Sequence, residues 1–185
     1  IANADMDSVP LVAITGNVAL SLLGHDALQE IDIAGVTMPI TKHNFMVQDV
    51  TELADTIREA FRIANTGRKG PVLIDVPIDI QNAELKSFVY PEEINMRTYK
   101  PTVRGNMLQI KKVAKALEEA RRPIICAGGG VLLSDAREEL RAFAEKHQIP
   151  VVSTMMGISA MPTEHPMYFG MVGNNGKPYA NRAMN

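Results

Sequence analysis

Residues 123–154, which read PIICAGGGVLLSDAREELRAFAEKHQIPVVST, decide the fold class of this chain. An apolar run at 124–127 ends in three glycines, a helical pattern begins at Ser134, and a second apolar run follows at 151–154. Short apolar runs of this kind are typical of strands buried on both faces of a parallel sheet. Strands that alternate with helices favour right-handed βαβ units, so the stretch predicts an α/β fold. The apolar side chains of its helix that should face inward are Leu140, Phe143 and Ala144.

The first half of the chain shows the same alternation of short apolar runs and helical patterns. Four elements are predicted there: strands at 9–14, 40–47 and 72–76, and a short helix at 25–32. The run at 9–14 favours a strand that is buried on both faces of a parallel sheet. The clearest helix follows Asp49, because Asp49 and Glu52 have the spacing of a capping box, and it ends at Gly67. The predicted inward face of this helix consists of Leu53, Ile57, Ala60, Phe61 and Ala64.

The pattern breaks between residues 81 and 105, where two prolines and scattered charges occur without a sustained period. A structureless connection of about 25 residues is unusual inside a compact domain, so we predict a domain boundary here. The predicted organisation is a first domain at 1–84, a linker at 85–105 and a second domain at 106–185. The second domain should begin with a helix whose apolar stripe consists of Met107, Ile110, Val113, Ala114 and Leu117.

Composition fits a folded globular protein, since the 185 residues are 46% hydrophobic and 22% charged, with a formal net charge of -2. Basic residues are spread along the chain, so neither nucleic acid nor an anionic membrane is an expected partner. No apolar run approaches the roughly 20 residues that cross a bilayer, and a cytoplasmic location is expected. Cys126 lies in an apolar run and is predicted to be buried and reduced. The four histidines lack metal-ligand spacing, so no metal site is expected within the chain.

Three segments carry the residue types of a ligand site. Gly128, Gly129 and Gly130 lie between a strand and a helix, where backbone amides without side chains can approach a phosphate closely. The segment departs from the GxGxxG fingerprint, so a tight structural turn stays open as an alternative. Residues 153–157 (STMMG) and 170–176 (GMVGNNG) follow, either as ligand contacts or as surface loops. Ligands bind at the carboxyl ends of parallel strands, and the three segments are predicted to converge there.

Six colinear segments resemble a known family. They are residues 14–32 (ITGNVALSLLGHDALQEID), 41–45 (TKHNF), 67–79 (GRKGPVLIDVPID), 123–130 (PIICAGGG), 150–157 (PVVSTMMG) and 169–173 (FGMVG). The first three are similar to the second half of the pyrimidine-binding domain of acetolactate synthases, and the last three to the central domain. The resemblance implies an internal piece of the large, catalytic subunit, with a partial pyrimidine-binding domain followed by a partial Rossmann-like central domain.

The resemblance implies a transferase that uses thiamine diphosphate to join two pyruvates, or pyruvate and 2-oxobutyrate, with loss of carbon dioxide. This reaction begins branched-chain amino acid biosynthesis. The resemblance also implies bound magnesium and FAD, a homodimer or tetramer with its active site between subunits, and a small regulatory subunit. The family's catalytic glutamate and magnesium-binding motif lie outside this chain, which is therefore expected to be inactive alone. Two alternatives stay open: another thiamine-dependent 2-oxo acid decarboxylase or ligase, and a non-catalytic nucleotide-binding or assembly module.

Positions that match the family's motifs give the candidate site residues. The substrate channel beside the thiamine would be lined by Val18, Ala27, Leu28 and Gln29. FAD would be contacted by Arg68, by Gly128, Gly129 and Gly130, by Thr154, Met155, Met156 and Gly157, and by Gly170, Met171, Val172 and Gly173. The chain departs from many family members at Asn17 (where they have glutamine), Ala19 (proline), Leu28 (phenylalanine), Ile78 (lysine) and Val172 (histidine). The change at Ile78 removes a cation near the channel mouth, and the change at Val172 removes a flavin contact.

Overall fold

The structure, a computed structural model, describes residues 1–94 and 96–185. The chain forms two compact units, Ile1–Arg104 and Gly105–Asn185. Each unit contains a three-stranded parallel sheet with helices between its strands, which confirms the α/β fold predicted from the sequence. Among the helices of the described residues, none combines the length and the apolar character that a membrane span requires.

In the first unit, strands β1 (Leu11–Asn17), β2 (His43–Met46) and β3 (Pro71–Pro77) form a sheet in the order β1-β3-β2. Its α-helices are α1 (Ala2–Met6), α2 (Ile33–Thr37), α3 (Leu53–Asn65) and α4 (Ile78–Gln81). Single 3-10 turns occupy Leu20–Leu22, Met38–Ile40 and Val50–Glu52. The three predicted strands of this half are present with shifted ends, whereas the short helix predicted at 25–32 is absent, because these residues form turns.

The strand β3 is the centre of the first core, because it pairs with another strand along each of its edges. All of its residues are buried, and Val72, Leu73 and Ile74 are fully enclosed. The strand β1 pairs with β3 along one edge, and Ile14 is 64% exposed. The prediction that β1 is buried on both faces is therefore wrong. A run of apolar residues shows that a strand forms, but it does not show which faces of the strand are covered.

The helix α3 packs against the sheet through one apolar face. The Asp49 carboxylate accepts hydrogen bonds from the Thr51 backbone N–H (2.8 Å) and hydroxyl (2.7 Å), which caps the 3-10 turn before the helix. These bonds, the backbone one foremost, lower the pKa of Asp49 below its usual value. Ala60 and Ala64 are buried, but Phe61, which we predicted to face inward, is 54% exposed. Its position next to Ala60 places it on the neighbouring, solvent-facing side of the helix.

The segment that we predicted as a linker packs against the first unit. The Tyr99 hydroxyl accepts hydrogen bonds from Lys42 Nζ (3.2 Å) and Thr66 Oγ1 (3.0 Å), and it donates one to the Thr66 carbonyl (3.1 Å). Met96 and Tyr99 also contact the apolar core around β3. These contacts join residues that are far apart in the chain, so local sequence patterns could not reveal them.

In the second unit, strands β4 (Ile125–Ala127), β5 (Val151–Ser153) and β6 (Tyr168–Met171) form a parallel sheet in the order β4-β5-β6. Its α-helices are α5 (Met107–Glu119), α6 (Gly129–Leu133), α7 (Arg137–His147) and α8 (Pro178–Ala183), and a 3-10 turn occupies Met155–Gly157. The sequence predicted α5, α7, β4 and β5, but it did not predict α6 or β6. Ser134 ends α6 and does not begin α7, so the predicted start of that helix is wrong.

The second core is small, and several residues that were predicted to be inside it are partly exposed. Ala127, Ala144 and Val151 are buried, but Phe143 is 39% exposed. Cys126 is also exposed, which corrects the prediction of a buried thiol. The cause is strand alternation: β4 lies at an edge of the sheet, and it directs Ala127 into the core and Cys126 to the opposite, uncovered face.

The helix α5 forms as predicted, but its apolar stripe is not covered. Met107, Ile110 and Val113 are 62%, 49% and 59% exposed, and no residue of α5 is buried within the described structure. Ala114 and Leu117 line an open groove at the carboxyl end of the helix. The helical period therefore identified the helix correctly, and most of its apolar stripe is exposed in this chain.

Candidate functional site

Three turns meet at the carboxyl edge of the second sheet, because all three parallel strands end there. The Thr154 backbone N–H, just after β5, donates to the Ala127 carbonyl at the end of β4 (2.9 Å). The Val172 backbone N–H, just after β6, donates to the Ser153 carbonyl at the end of β5 (2.9 Å). The structure thus brings together residues 128–130, 154–157 and 170–173, which we call the glycine edge.

Packing requires glycine at one position of this edge and favours it at another. A Cβ on Gly157 would lie 2.1 Å from the Ala127 carbonyl oxygen, so only glycine lets the turn after β5 close against β4. A Cβ on Gly129 would lie 3.1 Å from the Met156 Cβ and 3.3 Å from its carbonyl oxygen. The tight-turn explanation that the sequence left open therefore accounts for Gly129 and Gly157.

Packing does not account for Gly130. A Cβ placed on Gly130 meets no other atom within 4 Å. A Cβ on Gly128 would make only an ordinary contact with Thr154 Oγ1, at 3.7 Å. Space is therefore open in front of the backbone at Gly130, and a side chain there would enter that space. An edge of this kind lets a planar or phosphorylated ligand approach the backbone closely.

The third part of the glycine edge is held by α8. Gly170 and Gly173 have φ angles of +91° and +111°, which favour glycine. The Asn181 side chain accepts a hydrogen bond from the Gly173 N–H (2.9 Å) and donates one to the Gly173 carbonyl (3.0 Å). A Cβ on Gly170 would lie 3.2 Å from Lys177 Cγ, so the lysine stem lies against that glycine. Sequence reasoning missed Asn181, because no local period connects it with Gly173.

The rim of the glycine edge is apolar and adaptable. Met155 and Met156 are 68% and 40% exposed, and methionine side chains of this kind can mould to a flat ring. Behind the rim, the buried Ser153 hydroxyl lies 2.7 Å from the Tyr168 hydroxyl and links β5 to β6. Val172 is half-buried and has no polar group to offer a ligand.

The predicted channel residues lie in a turn-rich loop of the first unit, residues 18–30, which we call the channel loop. It begins at the carboxyl end of β1, where the Val18 N–H donates to Asn17 Oδ1 (2.8 Å). Leu20 is held by a hydrogen bond from its N–H to Asp79 Oδ2 (3.1 Å). Within the loop, Leu28 is 90% exposed, which is unusual for a large apolar side chain.

Glu30 shapes the far end of the channel loop and explains why no helix forms there. Its carboxylate accepts hydrogen bonds from the backbone N–H groups of Ala27 (2.8 Å) and Gly24. Asp26 and Gln29 have φ angles of +54° and +63°, which no right-handed helix allows. The bond from Ala27, followed by that from Gly24, lowers the pKa of Glu30 below its usual value.

A cavity of about 470 Å³ lies beside the channel loop. Its lining includes Asn17, Gly24, Glu30, Asp32 and Met46. Val18, Ala27, Leu28 and Gln29 are not among its lining residues. The structure therefore collects the four predicted channel residues in one loop and places other residues of the same segment around the cavity.

Arg68 precedes the amino end of β3. It therefore lies at the opposite end of the strands from the channel loop, which follows the carboxyl end of β1. Its Nε donates to Ser8 Oγ (2.9 Å) and its Nη2 to the Asp5 carbonyl (3.3 Å). Two of the five guanidinium N–H groups are thereby used for contacts at the end of α1. The structure gives Arg68 a structural role and does not bring it together with the channel loop.

The described residues contain no group of three His, Cys, Asp or Glu side chains that could hold a metal ion. At the end of β3, however, they contain a polar cluster that the sequence did not indicate. Asp75 is fully buried, and its two carboxyl oxygens accept hydrogen bonds from Thr15 Oγ1 (2.9 Å) and Asn17 Nδ2 (2.6 Å). The one available signal was an acidic residue in the otherwise apolar run VLIDV.

Comparison with known proteins defines the class. Residues 110–185 match the family described as thiamine pyrophosphate enzyme, central domain, so the second unit belongs to that domain family. Over 95% of its length, the chain is 51% identical to the acetolactate synthase large subunit of Corynebacterium glutamicum. Over its whole length, it is 46% identical to that of Buchnera aphidicola and 43% identical to that of Haemophilus influenzae. These matches confirm the family resemblance seen in the sequence. The chain spans 28 to 32% of the length of these relatives.

Proposed function

We propose that this chain provides part of an acetolactate synthase, an enzyme that joins two pyruvates, or pyruvate and 2-oxobutyrate, with loss of carbon dioxide. The observation that carries the proposal is similarity to acetolactate synthase large subunits over 95 to 100% of the chain. The glycine edge supports it independently, because it lies at the strand ends where open α/β sheets bind ligands. We place the reaction at the start of branched-chain amino acid biosynthesis, in the cytoplasm.

The second unit is proposed to hold FAD along the glycine edge. The fit rests on the open space before Gly130, on the exposed methionines and on the positive φ angles at Gly170 and Gly173. The residues proposed to contact FAD are Gly128, Gly129, Gly130, Thr154, Met155, Met156, Gly157, Gly170, Met171, Val172 and Gly173. Arg68 is the further FAD contact that the family resemblance implies. In the free chain, its contacts with Ser8 and Asp5 hold the guanidinium group in place.

The first unit is proposed to be the second half of a pyrimidine-binding domain that presents the channel loop to a 2-oxo acid. Thiamine diphosphate, bound with magnesium, supplies the electron sink for decarboxylation. Within this chain, Val18, Ala27, Leu28 and Gln29 would orient the substrate and keep water away from it. The exposure of Leu28 supports this role, because an apolar side chain at the tip of an ordered loop is suited to contact another surface.

The proposed assembly is a homodimer or tetramer of large subunits with a small regulatory subunit. Such an assembly would complete the active site between subunits, as the family resemblance implies. The 185-residue chain alone is expected to form no acetolactate, because the residues proposed here bind and orient but do not transfer protons. Robust acetolactate formation by the purified chain would contradict this division of roles.

A chimera tests the proposed function. This chain would replace the matching 176-residue stretch of the Corynebacterium glutamicum large subunit, with the unmodified relative as control. We expect acetolactate formation from pyruvate. A chimera of native assembly size that binds its cofactors but makes no acetolactate would refute the proposal. Activity on oxalyl thioesters or glyoxylate instead would assign the chain to another thiamine-dependent enzyme.

A further inference from the structure

Asp75 is a buried acid, and the presence of a carboxyl group in the core needs an explanation. It lies near the end of the central strand β3, its side chain is fully enclosed, and most of its neighbours in β3 are apolar. Burying a carboxyl group is costly, and an apolar residue of similar size often serves stability equally well. A role in fixing neighbouring groups gives a reason for an acid at this position.

The hydrogen bonds of Asp75 lead to the start of the channel loop. Asn17 Nδ2 donates to one carboxyl oxygen of Asp75 (2.6 Å), and Asn17 Oδ1 accepts from the Val18 N–H (2.8 Å). An amide group has one donating and one accepting end, so only one orientation satisfies both contacts. Rotating the amide by half a turn would place its oxygen against the acid and its NH2 against the Val18 N–H.

The parallel register of β1 and β3 brings Thr15 and Asn17 close to Asp75. Thr15 is the register partner of Asp75, and Asn17 lies two residues further along β1, on the same face of the sheet. Thr15 Oγ1 donates to Asp75 Oδ1 (2.9 Å), so Asp75 Oδ2 is left to accept from Asn17. On the far side of Val18, the Leu20 N–H is held by Asp79 (3.1 Å). The backbone at Val18 is therefore fixed from both directions.

We propose that Asp75 is a positioning residue: by orienting the Asn17 amide, it sets the backbone of Val18 and thus one wall of the channel for the 2-oxo acid. The link to substrate rests on the proposed function, whereas the link to Val18 does not.

The first experiment measures the Val18 amide in the purified chain by NMR and hydrogen exchange. Asp75→Leu removes both acceptor oxygens, including the one that orients Asn17, and Val18 exchange should rise about tenfold, as expected for loss of one hydrogen bond. The exchanged pair Asp75→Asn with Asn17→Asp restores donor and acceptor with reversed roles, and it should return Val18 to within about twofold of the parent. Failure of this double variant to restore Val18 would overturn the proposal.

Thr15→Val is the matched control. It removes the other hydrogen bond of Asp75 without touching Asn17, so an acid with a purely structural role would give similar Val18 exchange in Thr15→Val and Asp75→Leu. We expect Val18 exchange to change only in the latter. If Asp75→Leu does not fold, Asn17→Ala breaks the same chain of hydrogen bonds at the half-buried Asn17. Unchanged Val18 exchange in Asn17→Ala would also overturn the proposal.

The second experiment measures pyruvate kinetics in the chimera described above. Asp75→Leu should raise KM for pyruvate about three- to tenfold and change kcat by less than about twofold, and the exchanged pair should restore KM. A fall in kcat alone, without recovery in the exchanged pair, would contradict a positioning role. If the unmodified chimera is inactive, the proposed function fails, while the Val18 measurements still decide the role of Asp75.

Discussion

Gly157 lies directly against Ala127, so closely that a Cβ on the glycine would be 2.1 Å from the alanine carbonyl oxygen. This contact joins the turn after β5 to the end of β4 and creates the compact base of the glycine edge. We predict that Gly157→Ala destabilises the chain by about 3 kcal/mol, because overpacking against backbone cannot be relieved by a rotamer change. Thermal and urea unfolding would measure the loss.

Gly130→Ala is the internal control for that prediction. A Cβ at Gly130 meets nothing within 4 Å, and alanine favours the helix α6 more than glycine does. Its stability should match or slightly exceed that of the parent chain. Equal destabilisation by the two substitutions would show that the close approach at Gly157 does not govern this edge.

FAD binding gives the second prediction, and it uses the Gly130→Ala variant again. If FAD lies against residues 128–130, the Cβ of Gly130→Ala would enter the space it needs. We expect Gly130→Ala to weaken FAD binding by about tenfold or more while stability is unchanged, a loss of roughly 1.4 kcal/mol. Flavin fluorescence quenching and equilibrium dialysis would measure the affinity.

A ligand comparison decides what the glycine edge accepts. NAD and ATP would be titrated beside FAD, with Leu133→Ala, on the same helix but outside the edge, as the control variant. Binding of FAD that is insensitive to Gly130→Ala would place the flavin elsewhere. Binding of NAD or ATP in preference to FAD would favour a general nucleotide-binding module.

Glu30 gives the third prediction, which concerns pH. Its folded-state pKa is lowered because its ionised form accepts hydrogen bonds from Ala27 and Gly24. The stabilisation of the channel loop is therefore present above the unfolded pKa of a glutamate and is lost as pH falls through the lower, folded pKa. The Gly24 and Ala27 amide resonances should titrate together with a midpoint below the usual glutamate range.

Glu30→Gln should abolish this titration and speed exchange of the same two amides at neutral pH. Asp26→Asn is the matched control, because it removes the same charge from the same loop and leaves both acceptor oxygens of Glu30 in place. The asparagine also tolerates the left-handed backbone at that position. An equal response to Asp26→Asn would mean that net charge, and not the two hydrogen bonds, holds the loop.

Much of the fold followed from local patterns. The runs at 72–76 and 151–154 identified β3 and β5 because both are central strands, where burial on two faces demands apolar residues. The same rule failed for the edge strands: Ile14 and Cys126 are exposed, although each lies in an apolar run. Sequence gives the strand, but its position in the sheet depends on pairings between distant residues.

The candidate site shows the same division. Convergence of residues 128–130, 154–157 and 170–173 could be predicted, because parallel strands end at one edge. Asn181 and the Asp75–Asn17 pair could not, since each acts through contacts with residues that no local period connects. Glu30 overrode the helical prediction at 25–32, because its side chain bonds to the backbone of the loop that precedes it.

Tyr99 gives the last prediction, on how the segment after α4 is attached. Its hydroxyl contacts Lys42 Nζ, Thr66 Oγ1 and the Thr66 carbonyl, and Lys42 Nζ also donates to the Thr66 carbonyl at 2.7 Å. Tyr99→Phe keeps the ring in the core but leaves these partners less satisfied. We expect a loss of about 1 to 2 kcal/mol in urea unfolding and faster proteolysis within residues 82–104.

Tyr90→Phe is the control variant, because it removes a different tyrosine hydroxyl from the same segment. It shows whether the effect is specific to the Tyr99 hydroxyl. Tyr90 is 48% exposed and uses its ring, which stacks near Phe88 and lies 5.1 Å from the Arg58 guanidinium carbon. Its ring contacts survive the substitution, so stability and proteolysis should stay near the parent values. If Tyr99→Phe is equally silent, the apolar contacts of Tyr99 and Met96 with the β3 core suffice to hold the segment, and its hydrogen bonds add nothing measurable.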